Sequence, residues 1–86
     1  MNKEILTVKK DNYGTIRHYN ASGQLHNANG PAVVYPNSDK SYYINGQLHN
    51  PDGPAIIDTD RSKSYWINDE ELTKAEFKTW QAEQTK

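Results

Sequence analysis

Along the chain, apolar positions alternate with polar ones over short runs, and only near the end do they recur every third or fourth residue. Lys40-Ser41-Tyr42-Tyr43-Ile44 and Lys63-Ser64-Tyr65-Trp66-Ile67 are rich in aromatic and β-branched residues. Runs of this kind predict strands. Asn45-Gly46 follows the first of them and predicts a two-residue hairpin, because a type I′ turn needs φ > 0 at both central positions. Gln47-Leu48-His49 then returns as a second strand. The segment Asn50-Pro51-Asp52-Gly53-Pro54 interrupts it as a turn or bulge, since proline cannot donate to a ladder. Ala55-Ile56-Ile57-Asp58 resumes the strand, and 59–62 turns the chain into the next run. An opening strand is expected over residues 3–9.

The same grammar occurs earlier with an offset of 23 residues: Gly23, Leu25, His26 and Gly30-Pro31-Ala32 match Gly46, Leu48, His49 and Gly53-Pro54-Ala55. Ser22-Gly23 takes the place of the hairpin turn. Later, Ser64-Tyr65-Trp66-Ile67-Asn68 matches 41–45, and this third copy loses the glycine and the histidine. The repeats span about 12–40, 41–63 and 64–72. A single hairpin cannot bury its own face, but stacked ones can. The expected fold is therefore mainly β: one domain over residues 1–86, an antiparallel meander of 23-residue hairpin units with six to eight strands.

The end of the chain switches period. Thr73-Lys74-Ala75-Glu76 has the form of a capping box, and Phe77 and Trp80 lie three apart, on one helix face. A short helix over 73–83 is expected to cap the sheet. Tyr43 and Trp66, on the opposite alternation from Tyr42 and Tyr65, are its expected docking patch.

Composition narrows the chemistry. The chain has 86 residues and no cysteine, which excludes disulfides, thiolate metal sites and cysteine nucleophiles. The absence of disulfides in so small a domain favours a reducing, cytoplasmic setting. The start, Met-Asn-Lys-Glu-Ile-Leu, matches neither a signal peptide nor a membrane span. Net charge is −1, so no global field draws in nucleic acid and any electrostatic site must be local. No phosphate loop, metal-ligand pair at helical spacing or nucleophile elbow occurs. No enzyme, cofactor or metal is expected.

Asn45-Gly46-Gln47-Leu48-His49 and Asp52-Gly53-Pro54-Ala55, with the aromatic strand beside them, resemble a repeat phrase of proteins from tailed phages and large DNA viruses. They are also similar to MORN repeats, which are β-hairpin units. The resemblance covers roughly residues 12–72; copy one departs from it at Ser22 and Asn29, and copy three stops after Asn68. It implies a small phage accessory protein acting in the cytoplasm of an infected bacterial host. Among proteins of this size in T4-like phages, one kind counters host defence by neutralising a ribonuclease toxin through RNA binding. A role of that kind is what the resemblance implies, with RNA or the host ribonuclease toxin as partner.

The residues supply a candidate interface. By the repeat offset, Arg17, Lys40 and Lys63 share one position, and Tyr19, Tyr42 and Tyr65 stand two residues on, on the same face. Lys9, Lys10 and Arg61 extend the basic edge. Rings that stack bases beside cations that follow phosphates suit single-stranded RNA. The same tyrosines could instead be a core ladder with lysines snorkelling at its rim. The alternative function is a protein-binding module that blocks a host defence factor by direct contact through Tyr43 and Trp66. His26 and His49 are expected to hydrogen-bond backbone at the Asn-Pro-Asp-Gly-Pro bend rather than to bind metal. Asp52, or Asn29 in copy one, is expected to bond its own backbone, with the following glycine at φ > 0. A thin sheet with an open edge also makes a homo-oligomer plausible.

Overall fold

The computed structural model describes residues 4–84. Nine short strands and one helix follow one another: β1 (Thr7–Lys10), β2 (Ile16–Tyr19), β3 (Val33–Val34), β4 (Lys40–Ser41), β5 (Tyr43–Ile44), β6 (Gln47–Leu48), β7 (Ile56–Ile57), β8 (Lys63–Ile67), β9 (Glu70–Leu72) and α1 (Lys74–Gln84). Seven strands form one antiparallel sheet in the order β1-β2-β3-β4-β7-β8-β9, and β5 pairs with β6. The fold is thus the expected antiparallel β-meander with a C-terminal helix. The opening strand starts later than expected, at Thr7, and the first residue of the expected span, Lys3, lies outside the described residues.

The strand count exceeds six to eight because each return strand is broken by its bulge. Tyr42 N–H donates to Ala55 O (2.7 Å), and His49 N–H donates to Tyr42 O (3.1 Å). The partner strand therefore leaves after Leu48, loops outward, and rejoins at Ala55 opposite the same tyrosine. Copy one repeats this, with His18 bonding Ala32 O (2.8 Å) and accepting from His26 N–H (3.0 Å). Ala32 and Ala55, at the points of return, are fully buried.

The loop is organised by its asparagine. Asn50 Oδ1 accepts from Asp52 N–H (3.0 Å), and Asn50 Nδ2 donates to Pro54 O (2.9 Å). Asn27 does the same with Asn29 N–H and Pro31 O (both 3.1 Å). The bonding residue is thus Asn27 or Asn50, two positions before Asn29 and Asp52. Gly30 and Gly53 are not left-handed: the positive-φ glycines are Gly14, Gly23 and Gly46. The asparagine side chain closes the loop, so the backbone can turn without a left-handed residue.

Turn length sets register. Asn45 and Gly46 have φ of 50° and 82°, as a type I′ turn requires, and Asn68 and Asp69 (50° and 69°) keep that turn in copy three without glycine. In the matching turn of copy one only Gly23 is left-handed (φ 81°). There Gly23 N–H donates to Asn20 O (3.0 Å) and Asn20 N–H to Gln24 O (2.9 Å), which makes a three-residue loop. Tyr19 bridges to Leu25 across it, whereas Tyr43 pairs with Leu48 across the shorter turn. The extra loop residue moves β2 by one position against the repeat.

Cross-strand pairing gives the consequence directly. One row runs Lys10, Ile16, Val34, Lys40, Ile57, Lys63, and the next runs Lys9, Arg17, Val33, Ser41, Ile56, Ser64. Directly paired residues share a face, and a one-residue shift moves a side chain to the other face. Arg17 therefore stands with Ser41 and Ser64, not with Lys40 and Lys63.

The molecule is a slab of 39 × 38 × 18 Å. Helix α1 covers one face near the β8-β9 edge. Thr73 and Glu76 cap it reciprocally, with Thr73 N–H donating to Glu76 Oε1 (2.8 Å) and Glu76 N–H to Thr73 Oγ1 (3.1 Å). Phe77, only 3% exposed, places its ring 4.8 Å from Tyr65 and 6.1 Å from Trp80. The helix thus docks on the Tyr65 face and not on Tyr43 and Trp66. The reason is local: Leu72 pairs with Tyr65, so a helix that begins two residues past Leu72 folds down onto that same face.

Candidate nucleic-acid interface

Three lysines, Lys10, Lys40 and Lys63, occupy one row of the sheet, and all three are exposed. With strands ~4.8 Å apart, Lys10 and Lys40 are separated by ~14 Å and Lys40 and Lys63 by ~10 Å. Their side chains reach far enough to close part of those gaps. Lys40 and Lys63 share one row as the repeat predicts; Ile16 takes the place assigned to Arg17, and Lys10 joins the row one strand further out.

Arg17 is committed elsewhere. Its Nη1 donates to Asp11 Oδ2 at 2.9 Å, and both groups are about a third exposed. The Arg17 hydrogen bond, with Thr15 and Tyr13 N–H, holds the Asp11 carboxyl below the usual range, and Asp11 in turn raises the Arg17 guanidinium. Lys9, its cross-strand partner, sets its ammonium 5.8 Å from the Tyr19 ring centroid on that second face. Arg61 is exposed at the 58–62 turn with φ 76°.

The tyrosine file is rearranged by the same shift. Tyr42 and Tyr65 remain equivalent, but His18, not Tyr19, is their partner in copy one. Of the pair, Tyr65 is covered by Phe77, while Tyr42 lines an open groove between the loops of copies one and two. Tyr19 stands instead with Tyr43 and Trp66. That second row is half-buried, and burial pushes the Tyr43 hydroxyl up from its ordinary value. Trp66 Nε1 donates to Ser64 Oγ (3.0 Å), and Trp66 pairs with Glu71.

Acidic residues share the turn end of the lysine row, and their oxygens are used by turns. Asp39 Oδ1 accepts from Thr59 N–H (2.8 Å) and Asp60 Oδ1 from Ser62 N–H (2.9 Å); these backbone bonds lower both carboxyls below the usual range. They stay ionised, so the field around the lysines is local and short-ranged.

The histidines are structural at one ring nitrogen. His26 Nδ1 accepts from Asn45 N–H (2.9 Å) and His49 Nδ1 from Asn68 N–H (3.0 Å). Each ties its unit to the turn of the next copy, rather than to the Asn-Pro-Asp-Gly-Pro bend. An accepting Nδ1 leaves the proton of the neutral ring on Nε2. His26 Nε2, in a residue only 4% exposed, lies 2.7 Å from Glu4 Oε2 without making a hydrogen bond to it. No group of three His, Asp or Glu among the described residues could hold a metal, and no described helix is long and apolar enough to cross a membrane.

The sequence alone does not show the shift: in the 23-residue register Tyr19 matches Tyr42, with five residues before leucine in both copies, and only the pairing sets Tyr19 beside Leu25 as Tyr43 stands beside Leu48. Comparison with family models, with curated proteins and with solved structures gives no match to the chain.

Proposed function

We propose that the chain is a non-enzymatic phage counter-defence protein that disarms a host ribonuclease toxin by binding single-stranded RNA. The observation that carries the RNA reading is the row of exposed lysines Lys10, Lys40 and Lys63 on one face. The phage-type repeat phrase supports the biological setting. The ammonium groups follow the phosphates, and Tyr42, in the open groove beside Lys40, offers a ring to a base. Three neutralised phosphates on a single strand give a salt slope of roughly −2, so affinity falls about twentyfold between 50 and 200 mM salt. The test is RNA binding by the Lys40→Glu, Lys63→Glu double variant. Loss of binding with the circular dichroism and melting curve retained supports the reading; unchanged binding refutes it.

A second reading rests on the other face. Tyr19, Tyr43 and Trp66 form a row that helix α1 leaves uncovered, and a protein partner laid across it would be a host defence factor held by direct contact. That binding resists salt, and Trp66→Ala abolishes it without touching RNA affinity.

A further inference from the structure

Two places in the chain set an asparagine before a glycine: Asn29-Gly30, in the outward loop of copy one, and Asn45-Gly46, in the hairpin turn of copy two. Such a pair is chemically labile, because glycine has no Cβ to keep its amide nitrogen away from the preceding carboxamide carbon. The fold treats the two pairs differently. Gly46 N–H donates to Leu25 O (2.8 Å), and the Asn45 carboxamide oxygen accepts from Asn20 Nδ2 (3.1 Å). The turn also fixes Asn45 and Gly46 at φ 50° and 82° between the paired residues Ile44 and Gln47. Asn29 has none of this restraint at the reacting groups. Its own N–H donates to Asn27 Oδ1 (3.1 Å), but among the described residues neither its carboxamide nor Gly30 N–H has a hydrogen-bond partner. Asn29 is exposed and stands outside every strand.

We propose that Asn29 is a site of spontaneous deamidation, with water as co-reactant, and that the fold protects Asn45. The Gly30 nitrogen gives its proton to water and bonds to Asn29 Cγ, the Cγ–Nδ2 bond breaks, and ammonia leaves. The succinimide ring so formed takes up one water. Opening at one carbonyl gives aspartate; opening at the other gives isoaspartate, with the backbone running through the former side-chain carbon. No oxidation or reduction is involved, and one negative charge is added to a chain of net charge −1. Copy two already carries Asp52 at this position, in a loop closed by the same two asparagine bonds, so the aspartyl product keeps the fold. The isoaspartyl product lengthens the backbone between Asn29 N–H and Pro31 O, the two groups that Asn27 clamps, and so opens the loop. The site is independent of the lysine row and of whether the chain binds RNA.

The experiment incubates the whole protein at mildly alkaline pH and body temperature, and follows the acid products at Asn29 and Asn45 by digestion and mass spectrometry. Conversion at Asn29 is expected to run at least about fivefold ahead of that at Asn45, the factor for one hydrogen bond of ordinary net strength that must break first. The same incubation in denaturant removes the protection and brings the two rates together. Gly30→Ala slows conversion at Asn29 with the melting curve retained, because Gly30 is not left-handed and an added Cβ would meet Asn27 Nδ2 at an ordinary 3.7 Å. Equal rates at the two sites in the folded protein, or faster conversion at Asn45, overturn the proposal whether or not Gly30→Ala folds. So does an Asn29 that stays intact in the folded protein while the denatured chain converts.

Discussion

Single residues carry strain and charge that the repeat does not advertise. Ser38 and Arg61 sit at φ 77° and 76° in three-residue turns, at the place that Gly14 (93°) takes in the first turn of this kind. A left-handed non-glycine residue costs ~1–2 kcal/mol. Part of that gain is offset by the larger unfolded-state entropy of glycine. Arg61→Gly is therefore expected to raise stability by about 0.5–1 kcal/mol, seen as a melting temperature some 2–8 °C higher. The turn carboxylates predict an acid limb. Asp11, Asp39 and Asp60 all have folded-state values lowered from the ordinary one. Their contribution is present above the unfolded value near 4 and is lost as pH falls through the lower folded values. Stability measured by denaturant should fall as pH drops below about 4, and Asp60→Asn should shallow that fall.

At the scale of elements, strands, hairpins, bulges and helix were legible because each has its own local chemistry. Asn45-Gly46 specifies its turn, the prolines force the bulge, and Thr73 with Glu76 starts the helix. What was not legible follows from turn length and chain reach. The repeat suggested that Ser22-Gly23 replaced Asn45-Gly46 one for one. The structure instead uses three residues with a single left-handed glycine, so every residue of β2 changes face. Bulk alone points the helix to Tyr43 and Trp66, but Leu72's pairing with Tyr65 decides where a helix starting at Lys74 can land. Phe77→Ala should cost about 3–5 kcal/mol as a buried aromatic truncation, and Thr73→Ala about 1 kcal/mol as a lost cap. In a sheet this thin, the first is expected to detach α1, visible as loss of helical circular dichroism and of Tyr65 ring shifts.

At the scale of the whole molecule, the slab has two faces with different chemistry. One carries the lysine row, the inter-loop groove and the helix; the other carries Lys9, Arg17 and the row Tyr19, Tyr43 and Trp66. With a net charge of −1, the RNA binding proposed above depends on where the cations stand, not on how many there are. The register makes that dependence testable, because it assigns Lys10 and excludes Arg17, the reverse of what the repeat suggests. The direct measurement is RNA affinity, as a function of salt, for Lys10→Gln and for Arg17→Gln beside the unaltered protein. The account predicts that Lys10→Gln weakens binding and reduces the salt slope by about 0.7, one phosphate contact on a single strand, while Arg17→Gln leaves both unchanged. A loss confined to Arg17→Gln would contradict it, placing the RNA on the opposite face.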